Sequence, residues 1–196
     1  MRRRAMLAAS LALAGCGLET RPYAERRQWP LLVRRPQALP PHRGGPVLVV
    51  RSFAAGPGME LRGLQSVQPD GSIRTEFYEE WSVPPSQAVE EAVRAWLADS
   101  GMFSAVVQPG SRLSADLVLE GELDALWTVP AGQVARAALG VTLVAEGGTG
   151  PRLALQRRLD AEAGLAGATP QDAVAAMTAS VAALCGRVEA TVRDRS

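Results

Sequence analysis

The stretch DLVLEGELDALW, residues 116–127, decides the fold because apolar and acidic side chains alternate along it. A period of two predicts a strand with one buried face and one solvated face, which is typical of antiparallel sheets. Leu117, Leu119, Leu123 and Trp127 lie on the predicted buried face, and Asp116, Glu120, Glu122 and Asp124 lie on the other.

Two more strands and a helix follow this stretch. Residues 134–145 and 152–162 are also strand-like, and glycine-rich or proline-containing turns at 130–132 and 147–151 separate the three segments. Short turns between consecutive strands predict an antiparallel meander. Apolar residues then recur at three- and four-residue spacing over 171–193, which predicts a long helix packed on the sheet, with Thr169 as its N-cap.

The preceding residues complete one α+β domain over residues 46–196. An apolar run at 47–53 predicts a strand, and Asp70-Gly71 between the segments 60–67 and 73–81 predicts a hairpin. A helical period covers 86–100, and a brief strand follows at 103–107. We therefore predict an antiparallel sheet with two helices packed on one face.

The N-terminus predicts an exported precursor. Three arginines at positions 2–4 precede an apolar run of about ten residues, which is too short to span a bilayer of ~30 Å. Leu13-Ala14-Gly15-Cys16 then looks like a bacterial lipobox. We therefore expect a signal peptide over residues 1–15 and lipid attachment at Cys16.

Residues 16–45 are rich in proline and arginine and are interpreted as an acylated tether. Trp29 and the apolar residues 31–33 interrupt it, and this interruption has two explanations that the sequence leaves open. The residues either form an edge strand that docks on the domain, or belong to a plain linker. A fully extended tether of roughly 30 residues would reach about 90 Å.

No set of residues predicts catalysis, a cofactor or a metal. The one histidine, His42, lies in the tether, and Cys185 lies on the apolar stripe of the closing helix. A solvated sheet face explains the carboxylates of residues 116–124. The formal net charge is +1, and without the three arginines of the predicted signal it is about −2 (+1 minus 3), which disfavours nucleic acid as a partner. Trp127, at the end of its strand, and Trp29 are weak candidates for contacts with a partner, with a core position the alternative for Trp127.

The chain also resembles the ABC-type transport auxiliary lipoprotein family, the group that includes the paraquat-inducible lipoprotein C type. The segment Glu76–Pro84, EFYEEWSVP, is the most specific part of the resemblance. The lipobox, the strand at 47–53, Arg62-Gly63-Leu64-Gln65, Asp70-Gly71, the strand at 115–121 and the alanine-rich closing helix complete it.

The resemblance implies a non-catalytic lipoprotein that docks the permease, the ATPase and an MCE-domain protein of a transporter for phospholipid or other apolar compounds. Gly17, in the place of an aspartate after Cys16, favours the periplasmic face of the outer membrane. The alternatives are a periplasmic carrier of lipid or small hydrophobic molecules, an envelope hydrolase, and an envelope accessory lipoprotein unrelated to an ABC system.

Overall fold

The computed structural model describes residues 25–148 and 150–195, so the signal segment, Cys16 and the start of the tether lie outside the described residues. Nine strands and two α-helices follow one another along the chain. They are β1 (Arg27–Trp29), β2 (Val47–Val50), β3 (Ala54–Ala55), β4 (Gly63–Val67), β5 (Ile73–Trp81), α1 (Pro85–Ala98), β6 (Ala105–Val107), β7 (Leu117–Val129), β8 (Val134–Ala145), β9 (Arg152–Gly164) and α2 (Pro170–Arg193).

The predicted α+β class is confirmed, with β7 as the central strand. One edge of β7 pairs with β8, which pairs with β9, and both pairings are antiparallel, as the meander predicts. The opposite edge of β7 pairs in parallel with β2, β3 and β4 in turn. The sheet is therefore mixed rather than purely antiparallel. A crossover that contains α1 lies between β2 and β7, and such a connection returns the chain in the same direction.

Both helices pack on the same side of the sheet and contact each other. Helix α2 contacts β7, β8 and β9, and α1 contacts α2, β6 and β7. A capping box between Thr169 and Asp172 starts α2, which confirms the predicted N-cap. Helix α2 is long and apolar enough to cross a membrane (mean hydropathy 1.3), but it is the core helix of this domain, because its stripe from Ala176 to Val192 is buried against the sheet.

Two β-bulges move side chains to the face opposite the predicted one. In β7, Leu123 pairs with Leu139 but Ala125 pairs with Ala138, so Asp124 is an extra residue. A one-residue shift reverses the faces of a strand. Beyond the bulge, Leu126 rather than Trp127 continues the core face, and Trp127 pairs with the exposed Arg136.

The second bulge lies in β9. Leu143 pairs with Leu155 and Val144 pairs with Leu153, so Ala154 is the extra residue. Leu155 is buried, whereas Leu153 is 65% exposed although the sequence places it on the same face.

The sequence of β5 alternates, with Ile73, Thr75 and Phe77 on one predicted face and Arg74, Glu76 and Tyr78 on the other, and the structure departs from this alternation. Gly63 pairs with Glu80 and Gln65 pairs with Thr75, so two steps along β4 correspond to five steps along β5. Three extra residues are therefore accommodated between Thr75 and Glu80. This irregularity ends the alternation of side chains, and the neighbouring Phe77 and Tyr78 are both exposed.

The described part of the predicted tether is docked on the domain rather than free. Strand β1 pairs in parallel with residues 79–81 of β5, and Leu39 forms a bridge with Ser100. Val33 is buried in the core, while Leu32 remains exposed. The structure thus selects the docked edge strand over the plain linker. The expected reach of about 90 Å is wrong, because residues 25–45 belong to the folded domain.

Candidate docking surface

The carboxylates of β7, and that of Asp116 just before it, hold neighbouring parts of the chain. Glu120 pairs with Arg51 at 2.8 Å, and Asp124 pairs with Arg158 at 3.2 Å. The Asp116 carboxylate accepts a hydrogen bond from the backbone N–H of Val47 at 2.8 Å. Among the described residues, no group of three His, Cys, Asp or Glu side chains is placed to hold a metal ion.

Cys185 is a buried thiol on the sheet side of α2. Its side chain belongs to the core cluster, and it forms no disulfide. Burial raises the pKa of Cys185 to about 12, because a thiolate would lose its hydration there. The thiol is therefore protonated at neutral pH and has no nucleophilic character.

Glu79 holds the first docked strand to the domain. Its carboxylate accepts hydrogen bonds from the indole N–H of Trp29 at 2.7 Å and from Nε of Arg27 at 2.8 Å. The guanidinium carbon of Arg27 lies 5.7 Å from the centroid of the Trp29 ring, a cation–π contact. Trp29 is half-buried against the core. The structure therefore shows that Trp29, a candidate partner residue, makes intramolecular contacts with Glu79 and Arg27.

Glu189 on α2 is a second carboxylate that holds the N-terminal segment to the domain. It accepts hydrogen bonds from Nε and Nη2 of Arg35 at 3.1 and 3.2 Å, and from the Trp96 indole at 2.6 Å, and it pairs with Arg193. Burial favours the neutral form of Glu189. The hydrogen bonds from Arg35 and Trp96 and the charges of Arg35 and Arg193 outweigh burial, and they hold the Glu189 pKa below its ordinary value.

Trp127, the other candidate partner residue, is half-buried at the end of β7 beside the turn at Pro130–Gly132. Its side chain packs in part against the core cluster. The structure does not bring Trp127 and Trp29 together through any described contact, and a role in partner binding stays a prediction for both.

An open groove of about 720 Å³ separates the β4–β5 hairpin from the start of α2. One wall carries Gln65, Gln68, Arg74 and Tyr78, and the segment Leu165–Pro170 forms the other. Gln65 is only 5% exposed, and its amide donates to the carbonyl of Gly58 at 2.8 Å. The Gln65 Oε1 atom has no hydrogen-bond partner, and it is the only such buried side-chain atom among the described residues.

A small exposed surface lies beside the groove, and we call it the aromatic edge (Arg26, Phe77 and Tyr78). Phe77 and Tyr78 are 66% and 46% exposed. The Phe77 and Tyr78 rings meet edge to face with centroids 5.0 Å apart, and the Arg26 guanidinium carbon lies 4.7 Å from the Phe77 centroid. Sequence reasoning treats Phe77 as one member of a regular strand face. The irregularity that exposes both rings has no sequence signature except Gly63, where a side chain would collide with β5.

Comparisons with known proteins agree with this architecture. A family model described as "ABC-type transport auxiliary lipoprotein component" matches residues 31–189. The match therefore includes most of the docked N-terminal segment as well as the sheet and both helices. No curated protein matches the chain significantly.

Solved structures resemble the fold at low sequence identity. A crystal structure of a Xanthomonas campestris protein aligns with a TM-score of 0.69 and 16% identity, over 86% of this chain and 96% of that one. A hypothetical protein from Chlamydia trachomatis aligns with a TM-score of 0.51 and 13% identity, over 76% and 98% of the two chains. At such identities the likeness establishes the fold alone.

Proposed function

Because the chain belongs to the ABC-type transport auxiliary lipoprotein component family, we propose that it is a non-catalytic docking subunit of an envelope transporter for lipids or apolar compounds. Its partners in this proposal are the permease and ATPase of an ABC system and an MCE-domain protein. The observation that carries the proposal is the family match over residues 31–189, which spans nearly all of the described domain.

The membrane attachment is part of the proposal. Acyl chains on Cys16 would hold the protein on the periplasmic face of the outer membrane, since Gly17 follows the cysteine. A single chain binds a bilayer only marginally, whereas two or more give stable attachment. The positively charged start, the short apolar run and the lipobox-like tetrapeptide support this assignment.

We place the docking site for the transporter partner in the groove between the β4–β5 hairpin and α2. The groove has both apolar and polar walls, and the unpartnered Gln65 oxygen beside it is an acceptor that a partner donor could reach after a small side-chain movement. Partner sites on proteins commonly combine an apolar centre with a few hydrogen-bonding groups. Trp127, on the strand that ends near the groove, is a further proposed contact.

Photocrosslinking in cells tests the docking role. A photoreactive amino acid replaces Gln68 in the groove, and a matched variant carries it at Gln156, which lies on the carboxylate face of the sheet. We expect covalent adducts with the permease or the MCE-domain protein from position 68 and none from position 156. A deletion strain should also become sensitive to apolar toxins, and the wild-type gene should restore resistance.

Two results would contradict the proposal. Equal yields of adduct from positions 68 and 156 would show that the groove is not the docking site. The second result is normal growth of the deletion strain on apolar toxins and detergents while neither position gives an adduct to a transporter component. That combined result would contradict the docking function itself.

A carrier role is the second candidate, and the size of the groove favours it. A volume of about 720 Å³ lies within the range of small-molecule sites, roughly 300–1,000 Å³. Native mass spectrometry of the purified chain separates the two roles. A lipid bound at one molecule per chain, and lost when Tyr78 or Gln65 is changed, would favour the carrier over a pure docking subunit.

A further inference from the structure

The N-terminal chain leaves the described fold at the aromatic edge. Strand β1 begins at Arg27, and the preceding Arg26 lies over the Phe77 ring. The chain that leads back to Cys16 therefore starts beside the two exposed aromatic side chains. Whatever holds Cys16 also holds this end of the domain.

The covalent distance from Cys16 to this edge is short. Glu25 lies nine residues after Cys16 (25 minus 16), and even a fully extended chain of nine steps covers only about 30 Å. This is less than the diameter of roughly 40 Å that a compact domain of this size has. With Cys16 in a bilayer, the aromatic edge lies near the lipid surface, and the domain cannot move far from it.

The side chains of the edge have the chemistry of a membrane interface. Phe77 offers exposed apolar surface, while Tyr78 has an apolar ring and a polar hydroxyl, a combination that is enriched at the level of the lipid headgroups. The guanidinium group of Arg26 lies over the Phe77 ring, a cation–π contact that sets a charge beside the exposed aromatic side chain.

Charges around the edge are paired within the domain. Arg74 pairs with Glu76 at 3.1 Å, Arg26 lies 4.0 Å from Glu80, and Arg27 pairs with Glu79. Glu80 also pairs with Arg62 at 3.2 Å, so each of these arginines of the described chain has a carboxylate partner, which limits the charge available to bind anionic lipid. Contact with lipid would depend on the aromatic and apolar side chains and would respond weakly to salt and to the anionic lipid fraction.

We propose that the aromatic edge rests on the bilayer that anchors the chain, with the Phe77 and Tyr78 rings among the lipid headgroups. This inference rests on the proposed acylation of Cys16. The contact is weak by itself, and the anchor makes it effective by keeping the edge at a high local concentration of lipid. It orients the domain so that the groove, which shares Tyr78 with the edge, opens next to the membrane surface.

The test uses the full acylated chain in vesicles of phosphatidylethanolamine and phosphatidylglycerol. A polarity-sensitive fluorophore is attached at Thr75→Cys, an exposed position of β5 that leaves both rings intact. Cys16 is capped by its lipid, and burial protects Cys185 from the reagent. We expect the emission to shift to shorter wavelength in vesicles and to be quenched by lipids that carry a spin label at the headgroup.

Substitutions in the labelled chain identify the residues responsible. Phe77→Ser with Tyr78→Ser should return the emission to its value in water. Leu153→Ser is the matched control, since Leu153 is 65% exposed and Phe77 is 66% exposed, and it should leave the shift unchanged. Near-ultraviolet circular dichroism confirms that each variant is folded. Raising the salt concentration should have little effect on the shift.

The outcomes separate this inference from the anchor. A chain that does not float with the vesicles would count against acylation and so against the proposed function. A chain that floats while the fluorophore at position 75 stays in water would overturn the membrane contact and leave the anchor intact. Protection of the fluorophore by transporter proteins, with no quenching by labelled lipid, would also overturn it and assign the edge to a protein partner.

Discussion

Arg35 and Glu189 are 154 residues apart in the sequence, and two hydrogen bonds of 3.1 and 3.2 Å join them. The pair connects the N-terminal segment to the last helix of the domain. Because Glu189 also accepts the Trp96 indole N–H, one carboxylate links the segment to α1 and α2 together. The described segment before β2, residues 25–46, is thereby part of the fold.

Replacing Arg35 with methionine should loosen the docked segment. The change removes the bidentate hydrogen bonds and leaves Glu189 with Trp96 and Arg193. We expect backbone amides of residues 27–39 to exchange hydrogen faster, and the midpoint of urea unfolding to fall. Arg34→Met is the matched control, since Arg34 is exposed and adjacent. Equal hydrogen exchange of these backbone amides in both variants would show that the pair of Arg35 and Glu189 does not hold the segment.

Glu189 should make unfolding depend on pH in the acid range. Its pKa lies below the ordinary value of 4.5 in the folded protein, so the charged form stabilises the fold at higher pH. That contribution is lost as pH falls below about 4.5 and through the lower folded pKa. The Glu189→Gln variant should have a lower free energy of unfolding than the wild type at pH 7. Acidification from pH 5 to pH 3 should lower that free energy less in the variant than in the wild type. Parallel stability profiles for the two proteins would contradict this.

Replacing Gly63 with alanine should destabilise the hairpin. A Cβ atom there would lie 2.6 Å from Cγ2 of Thr75 and would also collide with the backbone carbonyl of Glu76. Overpacking of this kind costs about 1–3 kcal/mol of the free energy of unfolding. Denaturant unfolding measures the loss. Gly147→Ala is the control, because its Cβ would meet no atom within 4 Å, and an equal loss there would refute the steric explanation.

Cys185 should resist alkylation in the folded protein. Its pKa is about 12 and its side chain is buried, so almost no thiolate is available to iodoacetamide at pH 8. We expect modification only in urea, at the rate of an ordinary cysteine. An added cysteine at the exposed Leu153 position serves as the reactive control. Rapid modification of native Cys185 would show that α2 opens or that the thiol is activated.

Local patterns predict the elements that hold no extra residue of their own. Strand β8 begins and ends at the predicted residues, 134 and 145, because Ala137, Leu139, Val141 and Leu143 keep one unbroken alternation and all face the core. The closing helix is predicted equally well, since the capping box and the apolar stripe both lie within its own segment. The family resemblance is confirmed by the match over residues 31–189.

Patterns fail where one strand gains residues relative to its neighbour. Asp124 and Ala154 look like ordinary members of alternating strands, yet each is an extra residue that reverses the faces beyond it. For this reason Trp127 and Leu153 do not lie on the core faces that the alternation within their strands indicates. A bulge is defined by the register between two strands, so the sequence of one strand alone does not predict it.

The sequence by itself therefore determined the class of fold, the meander, both helices and the expectation of a lipid-bearing Cys16, because each follows from spacing within a short segment. Only the tertiary structure decided that the sheet is mixed, that Phe77 and Tyr78 are exposed, and that residues 25–45 are docked. Each of these depends on contacts between residues far apart in the chain. Glu79 with Trp29 and Glu189 with Arg35 exist only after the strands and helices have come together.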